Sequence, residues 1–452
     1  MIWRILLGLA VVLVLVFVGF YAWTWRGAMP ALASAPSPSS FSSDDIKKGA
    51  QLAALGDCTT CHTAAGGKPY AGGAPVPTPF GTLYATNITP DPATGIGTWS
   101  EDAFRRAMRE GVGRNGTHYY PAFPYDHFTL SDDSDIAAIY AFLMTREPVQ
   151  QENKAPQLAF PLNWRFFAGV WQVLFLQQGP YRANTAKDAE WNRGAYLADG
   201  IGHCGACHTP RNWFGAENKG DLFGGGEAEN WVAPALNASS PAPVPWTADQ
   251  LFTYLRTGFA DQHGLAAGPM QPVVANLKKM PDADVRAIAV YMASFEGPQD
   301  QSARDRQTKE ALQFAEERAI KVGAMAGPAT TGAGGSSNSN SDGAAIFAGA
   351  CAPCHHEGGA LPASRPVALG LSSVVNEPSP TNFVRIVLDG IHPAPGARGP
   401  IMPGFAGALT NQQIVALASY VRQQFSRQPA WQNIERALSS AGRQQTAAGG
   451  SQ

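Results

Sequence analysis

The chain is poor in charge: Lys, Arg, Asp and Glu together make up 15% of its 452 residues, well below the roughly one quarter usual for soluble domains. The two signs nearly cancel, to a formal net charge of −2. There is therefore no basic footprint for nucleic acid, and that class of partner is set aside. Cysteine is scarce, with six residues, and no βαβ pattern surrounds any of them, which argues against a thioredoxin-like dithiol. Long apolar runs are almost absent too, with a single one near the N-terminus. What is abundant is Gly (48) and Pro (35), the composition of loop-rich domains. A chain of this length is too long for one core, and two or three domains are expected.

The apolar run extends from Ile5 to Trp25, between Arg4 and Arg26, and ends in Phe20, Tyr21, Trp23 and Trp25. It is long enough to span a bilayer, with Trp and Tyr at one interface. The alternative is a cleaved signal peptide, for which Ala31-Leu32-Ala33 offers a small-residue site. Signal h-regions run to only about 7–15 residues, so a retained anchor at 1–26, followed by a linker at 27–41, is the preferred reading. Either reading implies export.

All six cysteines fall in one pattern used three times: Cys58-Thr59-Thr60-Cys61-His62, Cys204-Gly205-Ala206-Cys207-His208 and Cys351-Ala352-Pro353-Cys354-His355. Cys-x-x-Cys-His is the attachment signature of c-type haem. Two thiols add to the two vinyl groups of one porphyrin, and the adjacent His reaches the iron as proximal ligand. Zinc would need four ligands converging on one site, whereas these pairs lie far apart in the chain and each brings its own His. Disulfides would not require a His after every pair. The reading is three covalently bound haem c groups on Cys58, Cys61, His62, Cys204, Cys207, His208, Cys351, Cys354 and His355. Thioether attachment takes place outside the bacterial cytoplasm, which puts the N-terminus inside and the haem domains in the periplasm.

The surrounding sequence repeats with the motif. Each motif comes after a short helical segment near a Gly-Ala pair, at Gly49-Ala50, Gly194-Ala195 and Gly343-Ala344. A middle helix ending in Gly comes next. The first two open on Trp99-Ser100 and Trp246-Thr247 and run to Gly111 and Gly258; the third runs from Thr381 to Gly390 without the Trp. Each unit closes with an amphipathic helix, at 131–144, 281–295 and 410–425, with Tyr140, Tyr291 and Tyr420 at matching core positions. The architecture expected is all-α, with three tandem domains resembling class I cytochrome c, at 42–147, 186–297 and 342–427. Haem supplies apolar bulk that such small domains lack.

Electron-carrying cytochromes c usually place Met opposite the His. The second domain offers Met270 and the third Met402, both in the loop before the closing helix; Met292 reads as core. The first domain has Phe123 where Met is expected, leaving Met108, His118 and His127. Met108 aligns with Leu255 and Val387, hence core. His118 aligns with His263 and His392, which precede Met candidates and face a propionate or cap a loop. His127 has no counterpart and stands where the Met is lost. The metal ligands expected are thus His62 with His127, His208 with Met270, and His355 with Met402. His203 and His356 read as solvated neighbours of the motifs.

The segment 148–185 carries a Trp- and Phe-rich amphipathic stretch, too short and polar for a second span. It either lies in the membrane interface or is buried between domains. Residues 298–341 read as a charged helix, 301–321, and a Gly/Ser-rich linker that either lets the third domain move or merely spans fixed ends. The tail 428–452 reads as disordered from Ser439.

Taken together, the chain resembles the trihaem cytochrome c subunits of bacterial membrane-bound alcohol, gluconate and aldehyde dehydrogenases. The residues that carry the resemblance are 83–91 (Leu83-Tyr84-Ala85-Thr86-Asn87 onward), Trp191-Asn192-Arg193-Gly194-Ala195-Tyr196-Leu197, Gly202-His203 through Thr209-Pro210-Arg211-Asn212, and Met402-Pro403-Gly404-Phe405. Phe123 replaces the Met of the usual Pro-Ala-Met-Pro-Tyr, and together with the anchor this is similar to subunits paired with molybdenum-cofactor aldehyde dehydrogenases. The resemblance implies a subunit without substrate chemistry of its own. It would carry electrons from a dehydrogenase catalytic subunit (molybdenum-cofactor, PQQ or flavin type), with an iron–sulfur subunit in some complexes, to membrane ubiquinone. The rival readings are a multihaem peroxidase with an open first haem and a subunit of a terminal oxidase.

Overall fold

The computed structural model describes residues 2–297, 300–319, 339–356, 368–392 and 402–449. The fold is mainly helical, and the expectation of an all-α chain needs one amendment. Among the described residues there are three small antiparallel sheets: Gly81–Tyr84 between Pro75–Thr78 and Gln157–Leu158, Gly226–Ala228 with Trp231–Ala233, and Phe259–Ala260 with Gly264–Leu265. Their residues sit in the long loops, where turns of two or three residues close hairpins too short to show alternation in the sequence.

The chain divides into two compact units. One is 1–188 with 195–204 and 212–216; the other is 189–194, 205–211 and 217–452. The second half of the helix Ala189–Asp199 belongs to the first unit because Tyr196 donates its hydroxyl to the buried Asp135 at 2.6 Å. Lys48 completes that carboxylate's ion pair at 2.5 Å.

Within each repeat the first helix crosses the closing helix at a glycine. These pairs are Ser43–Leu55 with Asp133–Met144, Ala189–Asp199 with Asp282–Ala293, and Ser339–Ile346 with Asn411–Phe425. A Cβ at Gly49, Gly194 or Gly343 would run into the carbonyl oxygen of Ala138, Ala287 or Ala416 respectively. It would also come within 2.8, 2.7 or 2.8 Å of the Cβ of Phe142, Tyr291 or Tyr420. The conspicuous Gly-Ala pairs are thus contact points where two backbones touch. Tyr140 and Tyr291 are buried beside these crossings and Tyr420 packs on the third core.

The middle helices, Glu101–Glu110, Ala248–Thr257 and Thr381–Asp389, end at Gly111, Gly258 and Gly390, as their sequences imply. Ser100 and Thr247 cap the first two by accepting the amides of Ala103 and Gln250. The Ser100–Ala103 and Thr247–Gln250 bonds each satisfy a donor that the first helical turn leaves open.

The helix Ile2–Thr24 is exposed along its apolar length and long enough to cross a bilayer. The segment after it is no slack linker. Met29 donates to the carbonyl of Arg114 at 2.7 Å, Leu32 to that of Thr98 at 2.8 Å, and the Arg106 guanidinium to the carbonyl of Gly27 at 2.8 Å. The helix Phe166–Phe175 buries Ala168, Gly169, Trp171 and Gln172 within the first unit and leaves Leu174 exposed. It also touches the anchor helix, with Phe166 against Phe20 and Tyr21.

In the second unit the charged helix runs Gln301–Glu317, with Asp300 as its cap. Ala311 and Ala315 pack with Val244 on one side and Leu371 on the other, so this helix joins the second and third repeats. Asn382 on the third middle helix exchanges two hydrogen bonds with Val232, at 2.9 and 2.8 Å. The Gly/Ser-rich stretch, residues 320–338, lies outside the described residues. The tail corrects expectation: Ile434–Gly449 is helical. Trp431, Ile434 and Leu438 are buried in the third core, and Trp431 donates its indole N–H to the carbonyl of Glu377 at 2.7 Å.

Candidate functional site

Each Cys-x-x-Cys-His segment forms a helical turn. Cys58–Cys61 is a single α-turn closed by His62 N–H donating to Cys58 O at 2.9 Å. The second turn spans Gly205–His208. In the third, a π-helical turn Phe347–Cys351 leads in, and His355 N–H donates to Cys351 O at 2.9 Å. A turn brings residues three apart onto one face, so both sulfurs of a pair lie together with the His directly behind them. None of the six thiols is in a disulfide. Burial pushes the Cys58 thiol up to about 12 and the Cys351 thiol up to about 11.

The left-handed residue ahead of the first two motifs was not legible in the sequence. Asp57 (φ 49°) and His203 (φ 35°) hold the bend that starts the turn. His203 is thus no solvated bystander, and its Nε2 lies 3.2 Å from the carbonyl of Gly56.

The ring of the motif His is fixed by its outer nitrogen. His62 Nδ1 is 2.6 Å from the carbonyl oxygen of Thr86, and His208 Nδ1 is 2.8 Å from that of Pro234. Both carbonyls come just after a hairpin, Pro75–Tyr84 in one repeat and Gly226–Ala233 in the other. The carbonyl of Thr86 is held in place by Asn87, which hydrogen-bonds Thr94 and the backbone of Val149. A bond at Nδ1 sets the tautomer that presents Nε2 as a metal ligand. Burial lowers the proton affinity of both rings, and of His355, keeping them neutral as iron ligation requires. His355 Nδ1 is buried without a hydrogen-bond partner among the described residues, an orphan consistent with a site completed by a further group. The donor set, two thiols on one helical turn followed directly by a neutral imidazole, fits haem c.

The opposite-side candidates are placed as follows. Met270 opens the helix Met270–Leu277 and is half-buried. Met402 is half-buried and exchanges backbone hydrogen bonds with Ile391 at 2.9 and 3.0 Å. His127 is buried in the short helix Tyr125–Phe128, its Nδ1 2.7 Å from the carbonyl of Asp199. Met108 and Met292 are core residues, as expected. Phe123, at the position where Met was expected, packs edge-on against Tyr119, Tyr125 and Phe128. His118 bonds to Gln172 and to the backbone of the anchor helix. His263 is buried and stacked on Trp246 at 3.5 Å between ring centroids.

Residues 46–147 match the family model described as cytochrome c, and residues 338–421 match the one described as cytochrome c oxidase, cbb3-type, subunit III. The class is therefore that of c-type cytochromes, which hold haem c covalently. Among curated relatives, one subunit of the nicotinate dehydrogenase of Pseudomonas putida is 45% identical over 419 residues, covering 91% of this chain; the chain spans 33% of that protein's length. The gluconate 2-dehydrogenase cytochrome c subunit of Pantoea cypripedii is 36% identical over 398 residues, 83% of this chain and 85% of the relative. The cytochrome c subunit of the alcohol dehydrogenase (quinone) of Gluconobacter oxydans is 35% identical over 84% of this chain and 78% of its own. The chain belongs to this family, the electron-transferring cytochrome c subunits of bacterial dehydrogenase complexes.

Proposed function

We propose that the chain carries three haem c groups and relays electrons from a dehydrogenase catalytic subunit to ubiquinone in the bacterial inner membrane. Bound haem c supplies a reversible one-electron couple at each site. The residues that would hold it are Cys58, Cys61 and His62; Cys204, Cys207 and His208; and Cys351, Cys354 and His355. Met270 and Met402 would be the opposite ligands in the second and third repeats, and His127 in the first. Burial of His127 and its Nδ1 contact to a backbone carbonyl, the arrangement seen at His62 and His208, support that choice.

The observation that carries the reading is the repetition of one geometry. The same turn, with a neutral imidazole anchored at Nδ1, occurs at His62 and His208, in a chain related over most of its length to dehydrogenase subunits. The match to an oxidase subunit covers a single repeat, so a relay is favoured over a terminal oxidase. Retention of the anchor is supported by the hydrogen bonds that pin residues 27–32 to the first repeat, on the N-terminal side of the cleavage site that Ala31-Leu32-Ala33 would offer. The haem domains are then periplasmic and the N-terminus cytoplasmic. The catalytic partner oxidises an aldehyde or alcohol and is of the molybdenum-cofactor, PQQ or flavin type, with an iron–sulfur subunit in the first case.

Intact mass together with a pyridine haemochrome assay on protein from native membranes tests the haem count. Three per chain is expected, and fewer refutes it. Copurifying subunits and quinone reduction by the same preparation test the relay.

A further inference from the structure

Between residues 160 and 176 the only charged residue is Arg165, and there is none in 78–81 or in 212–216. The first unit brings these three stretches together. Phe80 stands beside Gly81, whose strand partner Leu158 is two residues from Phe160. Gly215 lies against the ring of Phe80, since a Cβ there would meet that ring at 3.3 Å. The loop around Gly215 is also fastened to the helix Phe166–Phe175. Trp171 donates its indole N–H to the carbonyl of Phe214 at 3.0 Å, and the rings of Phe175 and Phe214 are 5.8 Å apart between centroids.

This packing leaves apolar side chains on the outside. Trp213 is 95% exposed and Phe160 82%, and Phe80, Trp164, Leu174 and Phe214 are exposed as well. Singly exposed apolar residues are ordinary, but a contiguous group of them marks a surface that meets another apolar phase. Arg165 is turned back onto the protein, where its guanidinium donates to the carbonyl of His118 at 3.0 Å and lies over the ring of Tyr120.

The patch is continuous with the anchor helix. Phe166 packs on Phe20 and Tyr21, and Trp164 packs on Phe166. Tyr21 is three residues before the end of the helix Ile2–Thr24, about 4.5 Å back along its axis at a rise of 1.5 Å per residue. The start of the helix Phe166–Phe175 therefore lies beside the last turn of the anchor rather than beyond it. Trp and Tyr at the end of a span gather at the depth of the lipid headgroups, so the patch begins at that depth.

We propose that this face is a second contact with lipid. The loop Asn212–Ala216, which follows the second haem motif, seats Trp213 and Phe214 among the headgroups of the bilayer that the anchor crosses, with Phe80, Phe160, Trp164 and Leu174 around them. The proposal rests on the reading of Ile2–Thr24 as a retained span, and it adds a surface by which the first unit lies against the membrane. Aromatic rings suit that zone because one end of it is apolar and the other wet. It asks for no charged partner, in keeping with a face that offers no charge.

The test uses the full-length holoprotein in nanodiscs of a phospholipid that carries a photoreactive diazirine next to its headgroup. Adducts are expected on peptides containing Trp213 and Phe214 and on those containing Phe160 and Trp164, as well as at Trp23 and Trp25. Trp213→Glu puts a charge where the bilayer would lie. With haem content unchanged, this variant loses the adducts at Phe214, Phe160 and Trp164 and keeps those at Trp23 and Trp25. Leu312→Glu, at an exposed leucine of the helix Gln301–Glu317, keeps them all. Adducts at Trp23 and Trp25 alone, or equal labelling of the two variants, overturn the second contact and leave the anchor in place. If 212–216 is then protected from hydrogen exchange only in the complex with copurifying subunits, the patch is a protein interface instead. Absence of adducts at Trp23 and Trp25 overturns the retained span itself.

Discussion

Glu296 gives the second repeat a stability that falls as pH rises. Its side chain is 1% exposed, and neither carboxylate oxygen has a hydrogen-bond partner among the described residues. Loss of hydration dominates and raises the carboxyl from 4.5 to about 8; the nearby Ser240 hydroxyl, which falls short of a full hydrogen bond, and the Arg304 charge offset only part of it. Arg304 spends its guanidinium on the carbonyls of Glu296 and Trp246. In the folded state the group stays protonated up to about pH 8, whereas the unfolded chain releases the proton near 4.5. The folded state therefore binds the extra proton across that window. The contribution is complete below the lower value and disappears as pH climbs through the upper one, at about 1.4 kcal/mol per pH unit. Over the difference of 8 and 4.5, this amounts to on the order of 5 kcal/mol. Glu296→Gln keeps the shape and removes the titration. Denaturant titrations of wild-type and variant holoprotein at a series of pH values, monitored by haem absorbance and by tryptophan fluorescence, should show the wild type losing stability toward pH 8 relative to the variant. Parallel profiles would refute the argument.

Three further outcomes are expected from the packing. Valine at Gly49, Gly194 or Gly343 should each cost about 3 kcal/mol or more through forced separation of the crossing helices, read as a lower melting temperature and reduced haem retention. Valine at Gly407, which has nothing within 4 Å of its would-be Cβ, should change stability by only about 0.5 kcal/mol. Trp431→Ala removes the side chain that ties the C-terminal helix to Glu377 and Arg422. It should destabilise the third repeat by about 3–5 kcal/mol, with faster hydrogen exchange in 434–449 as the check. His127→Ala should alter the low-spin spectrum of one haem while His118→Ala leaves it unchanged; the reverse result would move the ligand assignment to His118.

Much of this was legible in the sequence because it depends on local chemistry. The Cys-x-x-Cys-His turns, the hydroxyl caps at Ser100 and Thr247 and the terminating glycines are fixed by residues a few positions apart, and each stands where its pattern implies. Gly49, Gly194 and Gly343 were visible as a repeat, but what each must avoid is a carbonyl some 70 to 90 residues away, which no local pattern encodes. The same holds for the carbonyls of Thr86 and Pro234: any residue has a carbonyl, so the partner of a motif His leaves no trace in composition. The C-terminal helix was missed because its Ser, Gly and Gln content reads as tail, and its burial rests on Trp431 and Leu438 docking into a distant core. The burial of Glu296 and the patch around Trp213 likewise exist only through tertiary packing.

The pinning of residues 27–32 to the first repeat, with His118 clasped to the carbonyl of Thr24, has a mechanical consequence. A protein held by a loose tether samples many heights above its membrane, and any reaction with a lipid-dissolved partner waits on the moments of close approach. Here the segment that follows the helix Ile2–Thr24 is fastened to the first repeat by its backbone, so on the proposed reading the anchor is coupled to that repeat without slack. If the proposed lipid-dissolved acceptor is the partner, the rate of its reduction should be indifferent to the viscosity of the surrounding water.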